Sequence, residues 1–293
     1  MTAFYNIVMF AHNEEKNIGR SVESVLDSAD EYLNKLYVIA NGCNDNTCNE
    51  VQKIQLSRSS EQLALVELEL GDKCNAWNHY VHDIADESAI HFFVDADVQF
   101  VEGSFGRLSQ HLANDAQANA AAGLPFSGRN QQQYLDMVKQ GRCLFGNCYA
   151  LKRQFIEKIR QKSFYLPIGL GWIDSAITKI VNRDLEDIPN PKEGRIVHDV
   201  ESGYRFDSLS IFSKADRQLY ISRIVRYRLG KHQEKYLEKG SFLSWPRVLD
   251  QINSAILNDI QCNAKWFNIL DRYFVAKRIV KQNQKLAKVA TQQ

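Results

Sequence analysis

The chain has 293 residues, 44% of them hydrophobic and 24% charged, with a formal net charge of +1. That length holds one large α/β domain, or a domain with an appended module, and the composition excludes a disordered or fibrous protein. A charge this close to zero gives no global drive toward nucleic acid, and no apolar run approaches the ~18–20 residues needed to span a bilayer.

The first half alternates short apolar runs with helical patterns, the signature of βαβ units and a mostly parallel sheet. Ile7–Phe10 reads as the first strand, and Ile18, Val22, Val25 and Leu26 form one stripe of a helix from about Glu14 to Leu26. Leu36–Ala40 makes a second strand, the turn formers Asn41–Asn46 follow, and a helix runs from Thr47 to about Leu56. Leu65–Leu70 alternates like a third strand; Gly71-Asp72-Lys73 is a loop before a helix over about Asn75–Ile84. The fourth strand, His91–Val94, ends in two carboxylates, Asp95 and Asp97. In an extended chain residues i and i+2 share a face, so these acids should project together and need a cation or a substrate hydroxyl to compensate them.

Past residue 100 the pattern loosens. Gln117–Gly123 is small and apolar, and Pro125, Gly128 and Arg129 interrupt it. Leu144–Leu151 reads as a buried strand and Arg153–Arg160 as a helix; Leu166–Trp172 is a glycine-rich loop, and Asp174 opens a short helix through Val181. Arg195–His198 is a late strand candidate, and from Lys214 onward long helical patterns replace strands. Met1–Tyr5 lacks the basic n-region of a signal peptide, so the expected location is the cytoplasm, at most peripheral on the inner face of a membrane. The six cysteines should be reduced there. Cys43/Cys48 and Cys143/Cys148 fall within zinc-ligand spacing, but no His accompanies them at finger spacing, and they read as plain buried thiols.

Ligands of an open parallel sheet bind at the carboxyl ends of its strands. Three polar loops converge on that edge: Ala11–Glu15, Asn41–Thr47 and Asp95–Asp97. The chain has neither the Walker lysine loop nor Gly-x-Gly-x-x-Gly, which disfavours an ATPase or a dehydrogenase.

Ile7–Glu15 with Ile18 and Ser24-Val25-Leu26, then Val38–Thr47, Lys73–Asn78, Val94–Asp97, and Gly146–Ala150 followed by Phe155 resemble the ordered motifs of family-2 glycosyltransferases, over roughly residues 4–182. The resemblance implies a GT-A (Rossmann-like) α/β fold, its mostly parallel sheet flanked by helices and followed by an α-helical C-terminal extension. The catalytic domain would span 1–212 (nucleotide-sugar half about 1–100, acceptor half about 101–212) and the extension 213–293. It implies transfer, with inversion, from a nucleotide-sugar donor, a UDP-sugar favoured, to a hydroxyl of a glycan or lipid-linked acceptor, in bacterial cell-surface glycan or polysaccharide synthesis. Ala11, Asn13 and Glu14 would touch the nucleotide, Lys73 would lie near the diphosphate, and Asp95 would contact the ribose or phosphate side. Asp97 would hold Mg²⁺ or Mn²⁺, with His198 as a further ligand or else a structural histidine.

Two positions depart from the family pattern. Asn41 stands where many relatives have Asp; an amide can both donate to and accept from a base edge, which leaves the base open. Gly171-Trp172-Ile173-Asp174 keeps the expected Asp and replaces the preceding Glu by Ile173. Asp174 is the candidate general base, its alternative role being a helix N-cap; Trp172 is either a sugar-stacking platform or core. Arg129 could reach a phosphate or be solvated, and Arg223–Arg228 matches a diphosphate-closing arginine motif too poorly for transfer.

From Cys262 onward seven basic residues (Lys265, Arg272, Lys277, Arg278, Lys281, Lys285, Lys288) face the single acid Asp271, interleaved with Trp266, Phe267, Tyr273 and Phe274. Such a helix suits peripheral contact with an anionic membrane, and equally a helix packed on the catalytic domain with a solvated basic face. No nucleic-acid partner is expected. The competing functional readings are a catalytically degenerate nucleotide- or glycan-binding module and a sugar nucleotidyltransferase; the latter should carry a glycine-rich basic phosphate loop that Phe10–Glu14 is not.

Overall fold

The computed structural model describes residues 3–58, 61–128, 130–210, 212–263, 265 and 267–290. Arg129, Trp266 and residues 291–293 lie outside the described residues, as does the side chain of Lys288. The chain divides into two compact units, Met1–Ser163 with Ile177–Ser208 and Phe164–Ala176 with Leu209–Gln293.

The first unit is built on one eight-stranded sheet. Its strands are β1 (Tyr5–Ala11), β2 (Leu33–Asn41), β3 (Leu63–Leu68), β4 (Ile90–Asp95), β5 (Val98–Phe100), β6 (Ala120–Pro125), β7 (Cys148–Lys152) and β8 (Ile196–Phe206), in the order β3-β2-β1-β4-β7-β6-β8-β5. The β3-β2-β1-β4 half is parallel throughout, as the strand–helix alternation of the sequence requires. Beyond β4 the sheet is mixed: β7 runs antiparallel to both β4 and β6, β6 is parallel to β8, and β8 is antiparallel to β5.

Helices α1 (Ile18–Ser28), α2 (Thr47–Arg58), α3 (Lys73–His79), α4 (Ser104–Asn114), α5 (Gln131–Lys139), α6 (Arg153–Gln161) and α7 (Ile173–Asn182) flank it. Ile18, Val22 and Val25 of α1 pack on Ile7 and Met9 of β1, Leu36 and Val38 of β2, and Phe92 and Val94 of β4, all fully or almost fully buried. The other face holds an aromatic group in which Phe93 stacks on Tyr149 at 4.9 Å and Trp77 donates to the Tyr149 hydroxyl at 3.0 Å.

Several boundaries differ from the sequence reading. Strand β3 is Leu63–Leu68 rather than Leu65–Leu70, α3 begins at Lys73 rather than Asn75, and β8 runs on to Phe206 rather than His198. Three further differences have a local cause. The first helix begins at Ile18 rather than Glu14: residues 15–17 form a turn, and the Glu14 and Glu15 amides donate to Thr47 Oγ1 and Asp45 Oδ2. The sixth strand, Ala-Ala-Ala-Gly-Leu-Pro, is fully buried yet carries no β-branched residue to mark it. Its small side chains are a packing requirement: a Cβ on Gly123 would meet Cys148 Sγ at 2.8 Å. The seventh strand starts at Cys148, not Leu144, since Leu144 N–H donates to Thr178 Oγ1 and Cys148 N–H closes a turn onto Phe145 O. Of the two paired cysteine sets only Cys148 is buried; Cys43, Cys48 and Cys143 are half-buried.

The second unit is helical, with α8 (Lys214–Leu237), α9 (Asp250–Cys262) and α10 (Ala276–Ala290), the last preceded by a wide helical turn over Leu270–Val275. Val225, Leu229, Ile256, Ile260, Val275 and Ile279 form its core. The glycine-rich loop belongs to this unit: Ile168 N–H donates to Arg247 O and Ile168 O accepts from Leu249 N–H. Among the described residues no helix is long and apolar enough to cross a membrane.

Candidate active site

The parallel register levels the strand ends. Phe10 pairs with Asp95 and Ala11 with Ala40, so β1, β2 and β4 deliver Ala11, Asn41 and Asp95 to one edge. The first two loops are laced together there. His12 Nδ1 lies 2.6 Å from Asn41 O, and Asn13 takes the left-handed conformation at φ +57 that Asn tolerates, its Oδ1 accepting from Asn44 N–H at 2.8 Å. Glu14 N–H donates to Thr47 Oγ1 at 2.8 Å and Glu15 N–H to Asp45 Oδ2 at 3.1 Å. Burial works against the Asp45 charge, but the hydrogen bonds from Thr47 and Glu15 outweigh it and hold the carboxyl below its ordinary pKa.

Asn41 is buried at the end of β2, and its side-chain oxygen accepts from Asp72 N–H at 2.8 Å. Asp72 in turn caps α3, accepting from Cys74 and Asn75 N–H. That cap fixes Lys73 as the first residue of α3, where its ammonium pairs with Asp95 Oδ1 and lies 5.6 Å over the Phe10 ring. Asn41 and Lys73, far apart in sequence, are thus positioned through one residue, Asp72.

The extended chain stops at Asp95, and Ala96-Asp97 form the turn into β5, so strand alternation does not carry through both acids. Both are nonetheless half-buried around a buried Ala96. Among the described residues no set of three or more His, Cys, Asp and Glu side chains comes together as a complete metal cage. The hard carboxylate oxygens of Asp95 and Asp97 fit Mg²⁺ or Mn²⁺ of the kind that takes one or two carboxylates and completes its shell from phosphate oxygens and water. His198 sits on β8 opposite Ala122; burial lowers its pKa, and Lys139, Asp199 and His111 are the charges acting on it.

Asp174 belongs to the second unit and is the second residue of α7, inside its first turn rather than at its cap. Next to it Ser175 Oγ donates to Glu234 Oε1 at 2.6 Å. The start of α7 rests on α8: a Cβ on Gly230 would overlap Trp172, and one on Gly171 would overlap Arg226 O. Trp172 meets Tyr227 edge-on at 6.3 Å, Lys231 lies 5.6 Å over the Trp172 ring, and the Arg226 guanidinium 5.4 Å over Tyr227. Burial first, then the Asp174 charge, raises the Tyr227 hydroxyl pKa.

The sequence reading assigned no role to Asp45, Thr47 or Asp72. An Asp one residue before a helix is a capping signal that could have marked Asp72; the ties from Asp45 and Thr47 to the first loop exist only in three dimensions.

A half-parallel, half-mixed sheet with Asn, Lys and Asp side chains gathered at its parallel edge is a GT-A architecture. A solved structure with this fold, the mannosyltransferase PcManGT from Pyrobaculum calidifontis in complex with GDP-Man and Mn²⁺, superposes with a TM-score of 0.62 at 15% identity, over 99% of this chain and 87% of that one. Glucosyl-3-phosphoglycerate synthase from Mycobacterium tuberculosis, in complex with Mn²⁺ and UDP-Glc, gives 0.51 at 17% identity, over 76% and 79%. A search of curated protein sequences returns no match. The sequence profile of glycosyl transferase family 2 matches residues 6–168, and the chain belongs to that family.

Proposed function

We propose that this chain moves a sugar from a nucleotide-sugar donor to a hydroxyl of a glycan or lipid-linked acceptor, with inversion at the anomeric carbon and with Mg²⁺ or Mn²⁺. The observation that carries the reading is the Asn41–Asp72 and Lys73–Asp95 arrangement at the edge where β1, β2 and β4 end. Because Asn41 Oδ1 is taken by Asp72 N–H, its NH₂ is the group left to read a base, and it meets a carbonyl of uracil or another acceptor edge. A UDP-sugar remains the favoured donor. Ala11, Asn13 and Glu14 border the nucleotide, Asp95 the ribose or phosphate side, and Lys73 turns from Asp95 toward the diphosphate.

Asp97 would hold the cation, its shell completed by phosphate oxygens and water; His198 lies eight residues before Phe206, the β8 partner of Val98, which favours its alternative reading as a structural histidine. When bound, the cation would neutralise charge on the departing diphosphate. Asp174 takes the acceptor proton, which needs one carboxylate within hydrogen-bond reach and so tolerates Ile173 in place of Glu. Two fold neighbours hold a nucleotide sugar and Mn²⁺, which supports the donor class. A role in bacterial cell-surface glycan or polysaccharide synthesis follows from the same reading.

The test is a panel of UDP- and GDP-sugars, with and without Mn²⁺ and without acceptor. Metal-dependent stabilisation by one donor, with slow release of free sugar, is the expected result. Binding without release would establish the degenerate binding module, and a panel in which no donor stabilises the fold would end the transferase reading.

A further inference from the structure

The second unit exposes an apolar and cationic face that its own core does not use. In the wide turn Leu270–Val275 and the residues on either side of it, Ile269 is 62% exposed, Tyr273 66%, Phe274 47% and Val280 45%, while Val275 and Ile279 between them are buried. This stretch has an inward apolar stripe that builds the core and a second one turned to water. On α8, Tyr220 and Ile221 are likewise exposed. The two stretches lie side by side, because Arg278 of α10 donates to Ser222 Oγ of α8 at 3.4 Å. Phe274 is one turn before Arg278 and Lys281 just under one turn after it, which extends the shared face along α10.

The exposed charge of the C-terminal stretch of this face has one sign. Lys265, Arg272, Lys277, Lys281 and Lys285 are all exposed. The segment's only acid, Asp271, is 3% exposed and turned inward, where Arg228 donates to both its oxygens at 2.8 and 2.6 Å and His232 Nε2 lies at 3.3 Å. Its negative charge is therefore spent inside the unit and offsets none of the exposed lysines.

Exposed aromatics and branched aliphatics ringed by cations match the headgroup layer of an anionic bilayer, where aromatic rings sit at the interface and lysines meet lipid phosphates. Single-stranded nucleic acid would use the aromatic rings and the cations but would gain little from Ile221, Ile269 and Val280. We infer that this face docks the protein peripherally on an anionic membrane, with Tyr273, Phe274 and Ile221 entering the headgroup region and Arg272, Lys277 and Lys281 meeting lipid phosphates. The inference stands apart from the transferase reading, since it draws on neither the donor site nor Asp174.

Co-sedimentation of the full chain with extruded vesicles tests it. Vesicles containing phosphatidylglycerol should retain the protein at low salt, pure phosphatidylcholine vesicles should not, and added salt should release it. Lys277→Ala with Lys281→Ala should weaken partitioning about thirtyfold, from roughly fivefold per cation at an anionic surface. Tyr273→Ser with Phe274→Ser should weaken it as well, while thermal melts and donor release stay at wild-type values in both variants. Equal retention on the two vesicle types, no retention at low salt, or unchanged binding by the lysine variant overturns the inference. So does tighter binding to a single-stranded oligonucleotide than to phosphatidylglycerol vesicles, or a dimer by analytical ultracentrifugation that the Tyr273/Phe274 variant abolishes.

Discussion

Lys73 and Asp95 form an ion pair at the edge of the parallel sheet, with side chains 26% and 29% exposed and the ammonium above the Phe10 ring. Two opposite charges in so wet a setting couple by about 1 kcal/mol, little enough for an incoming diphosphate to recruit the lysine. Lys73→Met should therefore leave the melting temperature within a few degrees of wild type. It should weaken donor binding about ten- to a hundredfold, the worth of roughly 1.5–3 kcal/mol for a hydrogen bond to a charged group. Calorimetric titration with the donor checks this; unchanged affinity would remove Lys73 from the site.

Asn41 holds Asp72 and is proposed to read the base, two roles that substitution can separate. Asn41→Ala leaves Asp72 N–H with Leu70 O as its one remaining acceptor, and should cost about 0.5–1.5 kcal/mol of stability as well as donor affinity. Asn41→Asp keeps an oxygen for Asp72 N–H but replaces the NH₂ proposed to face the base by an acceptor. The expected outcome is a folded protein whose donor preference moves toward bases that present an N–H, read by competing UDP- and GDP-sugars against one another. An Asp variant with wild-type donor preference would show that Asn41 only holds Asp72.

Much of this site could be read from the chain because its strands are apolar runs that stop at polar residues: Ala11-His12, Ala40-Asn41 and Val94-Asp95 each mark a strand end without help from the fold. Other features depend on partners distant in sequence. The loop before α1 is tied down by Thr47 and Asp45, which accept from the Glu14 and Glu15 amides. The sixth strand is hidden because the constraint that fills it with alanine and glycine comes from neighbours such as Cys148, not from its own propensity. Helix α4 did leave a sequence signal, Phe105, Leu108 and Leu112 at helical spacing, all buried. Strand direction past β4 left none, since a strand's own residues do not say which way its partner runs.

Asp97 and Asp174 are expected to fail in different ways. Asp97→Ala removes the turn carboxylate proposed to hold the cation and should abolish the effect of Mn²⁺ on donor affinity. Asp174→Asn keeps size and polarity in the first turn of α7, so donor binding should be intact, yet transfer should fall by about 10²–10⁴ for want of a base. Donor titration and single-turnover transfer, measured on both variants, separate the two. Wild-type turnover by Asp174→Asn would reject the base assignment.

The other end of the sheet sets the protein's behaviour in acid. His91 is fully buried on β4, its Nδ1 2.9 Å from the Tyr80 hydroxyl and its Nε2 without a hydrogen-bond partner. Burial pushes the His91 pKa down to about 4 against the pull of Asp86. The folded state therefore favours the neutral ring. This preference is fully present above the unfolded value of about 6.5 and is lost as pH falls from there toward 4, at a cost of about 3 kcal/mol. Asp86 adds a second, lower limb: burial opposes its charge, but bonds from Ser88 and Asn6 hold its pKa below the ordinary value, so its contribution is lost only at still lower pH. His91→Gln offers the Tyr80 hydroxyl a non-titrating partner. Its stability should be somewhat lower at pH 7 and nearly flat between pH 6.5 and 4.5, where the wild type declines. Urea titrations across that range decide the matter, and parallel slopes for the two proteins would mean that another group controls acid unfolding.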